Sequence, residues 1–398
     1  MSGPRAHQVD HDVVVVGAGP SGLLLAAELS RAGIDVAVLE RRADSAPGTR
    51  AIGVHPPTLL ALEASGAAEQ ILARAARIPR GIARTRDRQL GEVRFDRTGA
   101  RFPFVAAVPQ AVTEAAVSAG APDPLRGVLV GSLRDAGDFV VLTTDSAAGP
   151  GELRARAVVV AAGASGRALV AASHGVRARE FPDRYLMADI KAAPTQPETT
   201  AVITLDGTGV LESFPLPGGG RRLVAWVGRS GEVVEPPGER ADELLRRAVA
   251  TRTGDEALAA GVARAQGFGI RRVLLGRMRR GRVFAIGDTA HEVSPIGGQG
   301  MNLGLLDAAT LASALVRWLR DDEATSELDR WERRRLASAR TAARLAGANT
   351  SVGRSRPVAA HLLATTALRV ALSGPLARLA ANAYAMGLDA DATPSARR

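Results

Sequence analysis

The residues nearest the start of the chain that are suited to chemistry are the glycines of Gly17-Ala-Gly-Pro-Ser-Gly22. Gly17 permits a tight turn, Gly19 lets a pyrophosphate approach the backbone, and Gly22 lets a helix pack closely on a strand. Ser21 lies at the start of that helix, whose free N–H groups and partial positive charge favour phosphates. Glu40 follows 18 residues after Gly22, where a carboxylate can accept hydrogen bonds from ribose hydroxyls. This spacing predicts a dinucleotide site.

A second cluster of residues suited to ligand binding lies in Gly287-Asp288-Thr-Ala-His291 and Pro295-Ile-Gly-Gly-Gln-Gly-Met-Asn302. Asp288 follows an apolar run typical of a strand, and its carboxylate can accept hydrogen bonds. Glycines at 297, 298 and 300 let the backbone come close to a flat ligand. A helix that begins at about Gly300 directs its N–H groups toward negative charge on that ligand.

These motifs must be positioned by strands and helices, and the hydrophobic pattern predicts where those lie. Apolar β-branched runs typical of buried parallel strands occur at 12–17, 34–39, 156–161 and 281–287. The first two flank the glycine turn and its helix, and a strand–helix–strand unit of under about 35 residues requires parallel pairing. Short strands separated by turn signals between 181 and 229 predict an antiparallel sheet. Helices are predicted for most of the chain after Gly300.

The predicted fold class is therefore α/β: a discontinuous Rossmann-like domain with an inserted, mostly antiparallel β-sheet domain and a helical C-terminus. The first domain is assigned residues 1–80, 105–176 and 270–398, and the inserted domain residues 81–104 and 177–269. The apolar segment 357–388 is predicted to form two helices packed on the first domain, with a membrane-surface helix as the alternative.

Composition excludes several classes of function. The chain has no cysteine, which excludes disulfides, thiolate metal sites and cysteine nucleophiles and fits a reducing cytoplasm. No two histidines are spaced as metal ligands, so no metal is predicted. The net charge is +10, but aromatic residues make up only 3%, too few to stack nucleic-acid bases. An anionic cofactor or acidic substrate is the expected use of the charge. No apolar run reaches the roughly 18 residues of a membrane span.

The second cluster, paired with the N-terminal glycine turn, resembles the para-hydroxybenzoate hydroxylase family of FAD-dependent monooxygenases. It is close to the branch that modifies aromatic polyketides and to the ubiquinone-biosynthesis hydroxylases. The resemblance runs along most of the chain. Further matching segments are Arg50-Ala-Ile-Gly-Val-His-Pro, Pro109-Gln110, Phe181-Pro-Asp-Arg-Tyr-Leu-Met-Ala-Asp189 and Phe214-Pro-Leu-Pro217.

The resemblance implies roles for the residues around the flavin. Asp288 is expected to bind the ribityl chain of FAD. The helix that opens at Gly300, Met301 and Asn302 is expected to face the flavin pyrimidine, where its N-terminus would stabilise the reduced flavin. No catalytic side chain is identified. The positions expected nearest the flavin are Pro295, Gly297 and Gly298, and Pro295 with Ile296 is expected to help exclude water.

The resemblance also implies contacts farther from the flavin ring. Arg41 is expected near the adenine, Arg50 near the pyrophosphate, and Gln110 against the cofactor. His291 is expected to have a structural role. The residues expected to border the substrate pocket are Phe214, Pro215 and Trp226.

The activity implied by the resemblance is hydroxylation of a phenolic or polyketide-like aromatic molecule by O2, through a flavin C4a-hydroperoxide, in secondary metabolism such as antibiotic biosynthesis. NADPH or NADH would serve as a transient reductant, and the protein would act as a monomer or homodimer. Two alternatives are an FAD-dependent reductase or dehydrogenase of the geranylgeranyl-reductase type and a non-catalytic flavin-binding protein. Ala162-Gly163 stands where the family has Asp-Gly. Direct reduction by NADPH is therefore in question, and a separate flavin-reducing partner is a further expectation.

Overall fold

The computed structural model describes residues 9–44, 51–230, 238–321 and 325–392, which form three β-sheets surrounded by α-helices. The strands in chain order are β1 (His11–Val16), β2 (Val36–Glu40), β3 (Gly53–Val54), β4 (Ala76–Ile78), β5 (Arg80–Arg84), β6 (Gln89–Arg94), β7 (Val105–Ala107), β8 (Leu125–Arg126), β9 (Leu129–Asp135), β10 (Val140–Ser146), β11 (Gly149–Val160), β12 (Val176–Ile190), β13 (Thr200–Asp206), β14 (Gly209–Pro215), β15 (Arg221–Arg229), β16 (Gln266–Leu275), β17 (Arg279–Arg280), β18 (Val283–Ala285) and β19 (His291–Glu292). The helices are α1 (Pro20–Arg31), α2 (Pro56–Ala61), α3 (Ala67–Leu72), α4 (Gln110–Val117), α5 (Gly163–Gly166), α6 (Ala171–His174), α7 (Glu239–Thr253), α8 (Glu256–Ala260), α9 (Gly300–Arg320), α10 (Thr325–Val352), α11 (Val358–Ala371) and α12 (Gly374–Tyr384).

The first sheet has a parallel centre in the order β18, β11, β1, β2. Val13 pairs with Ala157 on one side and with Val36 on the other, which confirms the parallel pairing predicted for the first strand–helix–strand unit. The apolar side chains of these strands are buried in one core together with those of α1 and α9. The carboxyl ends of β1 and β18 therefore lie at the same edge of the sheet, and both motifs begin there.

The second sheet, which we call the substrate sheet, has the order β19, β16, β12, β15, β14, β13, β5, β6. Its pairs are antiparallel except for β13 with β5, as the sequence predicted for a mostly antiparallel insertion. Strand β16 was not predicted, because glycines and arginines interrupt its apolar pattern. This strand runs to Leu275 and so crosses the predicted domain boundary between residues 269 and 270.

The two faces of the substrate sheet have different neighbours. Leu211 and Ala225 point to one face, where they pack against apolar side chains of α7 and α8. Val210 and Trp226 point to the opposite face, because neighbouring residues of a strand alternate. That face, which we call the inner face, packs against Ile296 in the loop that precedes α9. The inner face therefore connects the substrate sheet to the second motif.

The two C-terminal helices form within the predicted segment, and the end of α12 contacts the first domain, where the hydroxyl of Tyr384 donates to Asn349 of α10. Both α11 and α12 contact β6 of the substrate sheet. Gly91 has no side chain, and Leu372 fills the space that a Cβ there would occupy. Leu363 on α11 is 74% exposed. In the described parts of the chain, no helix is long and apolar enough to cross a bilayer.

Candidate cofactor and substrate site

The turn between β1 and α1 is shaped by its glycines. Gly17 has a φ of +110°, and a Cβ there would lie 2.6 Å from the carbonyl oxygen of Ala161, so a side chain is excluded. Gly19 faces open space, since a Cβ built on it meets nothing within 4 Å. No side chain caps α1, which leaves its first N–H groups for a ligand. The hydroxyl of Ser21 instead borders Gly287 and α9. This open, uncapped turn fits a pyrophosphate group.

Glu40 is buried at the end of β2 and its carboxylate binds the protein itself. Oε2 accepts a hydrogen bond from the N–H of Ala18 at 2.9 Å, and Oε1 accepts from the N–H of Arg42 at 2.9 Å and from its Nε at 3.1 Å. Burial opposes ionisation, but these hydrogen bonds outweigh it and lower the pKa of Glu40. Glu40, which is predicted to bind a ribose, therefore also holds the backbone of the glycine turn in place.

Three further residues were predicted to contact the cofactor away from the flavin ring: Arg41, Gln110 and Arg50. Arg41 is exposed directly after β2. Gln110 begins α4, and its Oε1 accepts a hydrogen bond from the N–H of Ala51 at 3.2 Å. The amide of Gln110 thus anchors the chain at residue 51. Arg50 lies outside the described residues.

Asp288 lies exposed in a tight turn that directly follows β18. The turn is held through its backbone, because Arg167 donates from Nη2 to the carbonyl oxygen of Asp288 at 2.6 Å. Thr289 adds a hydrogen bond from Oγ1 to the carbonyl oxygen of Gly163 at 2.9 Å. The carboxylate is therefore presented at the edge of the sheet where the glycine turn also lies, which fits the predicted contact with the ribityl chain.

Asn302, predicted to contact the flavin, is fully buried and its amide is committed to the protein. Nδ2 donates to the carbonyl oxygens of Gly298 at 3.0 Å and Gly53 at 2.8 Å, and Oδ1 accepts from the N–H of His55 at 2.9 Å. The side chain therefore ties residues 295–298, which we call the glycine loop, to β3. Any contact of residue 302 with a flavin would come from its backbone.

The glycine loop is also bordered by side chains that the sequence did not indicate. A Cβ at Gly297, whose φ is +98°, would lie 3.3 Å from Nδ2 of Asn349. A Cβ at Gly298 would lie 3.6 Å from Nε2 of His55, a buried imidazole whose pKa is lowered by burial to about 4. Pro295 is exposed, and α9 starts without a side-chain cap. The loop thus leads into free helical N–H groups, as expected for a flavin contact.

His291 belongs to a buried ionic network, not to an open site. It is 1% exposed, and its Nε2 lies 2.5 Å from Oδ2 of Asp307. Asp307 also accepts a hydrogen bond from Nε of Arg335 at 2.7 Å through Oδ1. Burial alone would lower the pKa of His291, but the charge of Asp307 outweighs it and raises the pKa. These contacts support the structural role predicted for His291.

Two of the three predicted substrate-pocket residues, Trp226 and Phe214, lie on the inner face of the substrate sheet. Trp226 is buried there, and its Nε1 donates to Oδ1 of Asp183 at 3.0 Å. Phe214 is half-buried on the same face and packs against an apolar cluster that includes Ala385. Pro215 follows Phe214 at the end of β14, and strand alternation directs it to the other face.

A glycine turn with an open helix end, a carboxylate beside it and a glycine loop leading into a second helix end define the class of FAD-binding proteins. The sequence profile of the family described as "FAD binding domain" matches residues 10–346. The chain belongs to this family, and FAD is its cofactor.

Three proteins illustrate the similarity. The chain is 31% identical to 6-methylpretetramide 4-monooxygenase of Streptomyces rimosus over 85% of its own length, and spans 63% of the length of that relative. The aromatic hydroxylase CabE from angucycline biosynthesis superposes with a TM-score of 0.77 at 27% identity, over 96% of this chain and 76% of that one. The p-nitrophenol 4-monooxygenase PnpA of Pseudomonas putida DLL-E4 has a TM-score of 0.83 over 97% of this chain and 99% of that one. At 22% identity it supports the fold alone.

Proposed function

We propose that the protein is an FAD-dependent monooxygenase that hydroxylates a phenolic or polyketide-like aromatic molecule. One observation carries the proposal: Ile296 of the glycine loop belongs to the same buried apolar cluster as Tyr185, Val224 and Trp226 on the inner face of the substrate sheet. The loop that would border the flavin thus also borders the sheet that would hold the substrate. The names of the relatives, which act on 6-methylpretetramide or belong to angucycline biosynthesis, support the aromatic substrate class.

The residues divide the work of such a reaction. When bound, FAD supplies the oxygen-transfer chemistry, and the protein orients the reactants and excludes water from them. The turn at 17–22 would hold the pyrophosphate, and Asp288 would hold the ribityl chain. The partial positive charge at the start of α9 would favour negative charge at that end of the ring. Ile296 and Trp226 would keep water from the reacting atoms.

We further propose NADPH or NADH as the transient reductant, O2 as the oxygen donor and the cytoplasm as the place of action. Ala162 precedes α5, with its Cα beside Gly17 of the glycine turn and its methyl group facing Gly166. A separate flavin-reducing partner is the alternative to direct reduction. The protein is proposed to act as a monomer or homodimer.

The test is O2 uptake by the FAD-loaded protein with NADPH, NADH or an added flavin reductase, across a panel of phenols and polycyclic aromatic molecules. We expect at least one aromatic compound to stimulate O2 uptake and to gain one oxygen atom. Product formation without O2 would instead indicate a reductase or dehydrogenase. Failure of every donor to bleach the bound flavin would indicate a non-catalytic flavin-binding protein.

A further inference from the structure

Glu212 is a buried carboxyl group that is not part of the proposed cofactor site. It lies in the middle of β14 and is 7% exposed. Within the described ranges, its carboxylate makes no hydrogen bond and no ion pair. A buried carboxyl group without a partner is unfavourable for folding, so a role in stability does not account for it.

The position of Glu212 follows from its two neighbours on the same strand face. Val210, two residues before it, donates its N–H to the carbonyl oxygen of Gly353 at 2.9 Å, just after α10. Phe214, two residues after it, packs against an apolar cluster that includes Ala385, just after α12. Strand alternation puts Glu212 between them on the inner face. It therefore lies on the side of the sheet that meets the C-terminal ends of α10 and α12.

Polar side chains connect the C-terminal ends of α10 and α12 to the glycine loop. The hydroxyl of Tyr384 donates to Oδ1 of Asn349 at 2.8 Å, and the amide nitrogen of Asn349 borders Gly297. Burial raises the pKa of Tyr384, and the charge of Glu212 raises it further. The charge of Glu212 therefore affects Tyr384, whose hydrogen-bond partner Asn349 lies against the glycine loop of the proposed flavin site.

Glu212 differs from the other charged groups on the inner face, which are paired with each other, as Arg222 is with Asp189 at 2.7 Å. Tyr185 of β12 is the second of the two tyrosines in the chain, and its buried hydroxyl has no hydrogen-bond partner among the described residues. Arg354 is likewise paired with Asp183 at 2.7 Å. Burial raises the pKa of Glu212 to about 8, which is close to the pH at which an enzyme works and suits a group that takes up and returns a proton.

We propose that Glu212 accepts the hydroxyl proton of a bound phenol, an inference that rests on the function proposed above. The phenol O–H bond breaks, a new O–H bond forms on the carboxylate, and the electron pair stays on the phenolate oxygen. Negative charge moves from Glu212 to the substrate, and the ring becomes richer in electrons. The step consumes neither oxidant nor reductant.

The experiment measures proton uptake when 4-nitrophenol binds to the oxidised, FAD-loaded protein, by calorimetry in buffers of different ionisation enthalpy. At about pH 9, free 4-nitrophenol and Glu212 are both ionised. When the phenolate binds beside the carboxylate, the repulsion between the two negative charges causes the pair to take up one proton from the solvent. We expect uptake of about one proton by the unmodified protein and about none by Glu212→Gln. At about pH 6, where both groups are already protonated, uptake by the unmodified protein should vanish.

Two controls separate Glu212 from other causes. Glu180→Gln changes an exposed glutamate on β12 of the same sheet and should leave the uptake unchanged. The methyl ether 4-nitroanisole has no ionised oxygen and should bind without uptake. Binding of 4-nitrophenol without proton uptake, or equal uptake by Glu212→Gln, would overturn the role of Glu212 and leave the proposed function standing. Failure to bind 4-nitrophenol, 4-nitroanisole and 1-naphthol alike would count against the aromatic substrate class, and against this proposal with it.

Discussion

The substitution Asp307→Asn examines whether the buried network around α9 is structural. Asp307 and Arg335 are both 0% exposed, and Arg335 also contacts Asp389 at 2.8 Å. Burial would raise the pKa of Asp307, but the charges of His291 and Arg335 outweigh it and hold the pKa at about 2. Against an ordinary value of 3.8, this shift is worth about 2 kcal/mol. Because the substitution also leaves Arg335 with less compensation, we expect a loss of about 3 kcal/mol.

The assay is thermal unfolding of the FAD-loaded protein near neutral pH, where Asp307→Asn should lower Tm by roughly 5 °C. The control is Asp329→Asn, which removes the 57% exposed partner of Arg279 and should cost less than about 1 kcal/mol. The folded-state pKa of Asp307 lies below its ordinary value, so its contribution is present above about pH 4 and is lost as the pH falls toward 2. The gap in Tm should therefore narrow in acid. Equal Tm values for the two variants at neutral pH would refute the reasoning.

Three further predictions concern the cofactor. Asp288→Ala should weaken FAD binding about tenfold, the value of one charge-assisted hydrogen bond, whereas His291→Ala should mainly lower Tm. FAD titration and thermal unfolding separate the two effects, and a His291→Ala protein that binds FAD normally but loses all turnover would contradict the structural role. Acid precipitation should release FAD into the supernatant, because the chain has no cysteine for a thioether link. A coloured pellet, or FMN in the supernatant, would contradict this. Ala162→Asp should speed anaerobic bleaching of the flavin by NADPH, with substrate present and FAD affinity little changed, because a carboxylate can accept N–H bonds that a methyl group cannot. An unchanged or slower rate would argue that the missing carboxylate is immaterial.

The unit β1–α1–β2 of the first sheet was predictable because local sequence determines it. A β-branched run buried on both faces, a glycine turn and a helix fit one arrangement, and only a right-handed crossover connects the two strands. The same holds for Asp288, because a carboxylate that follows a buried strand lies at the edge where such sheets bind ligands.

The rest of the site was not predictable because it depends on contacts between distant segments. His55 and Asn302 are joined by a hydrogen bond although 247 residues separate them. The packing of α11 on β6 depends on the missing side chain of Gly91, which leaves no trace in the helix itself. Glu212 lies in a strand whose pattern indicates only burial. The side of the sheet on which Glu212 lies meets the ends of α10 and α12, which are distant from it in sequence.

The strand order β18, β11, β1, β2 has a consequence for how the protein is made. The first strand leaves the ribosome early, but one of its neighbours, β11, is completed only at Val160, and β18 begins at Val283. The chain must therefore carry an unfinished parallel sheet, with open edges, until every strand of the substrate sheet except β19 has been made. Such distant pairings fold slowly and expose strand edges that aggregate. Because the proposed FAD site includes the start of α9, we expect the supply of cofactor to affect yield only late in synthesis.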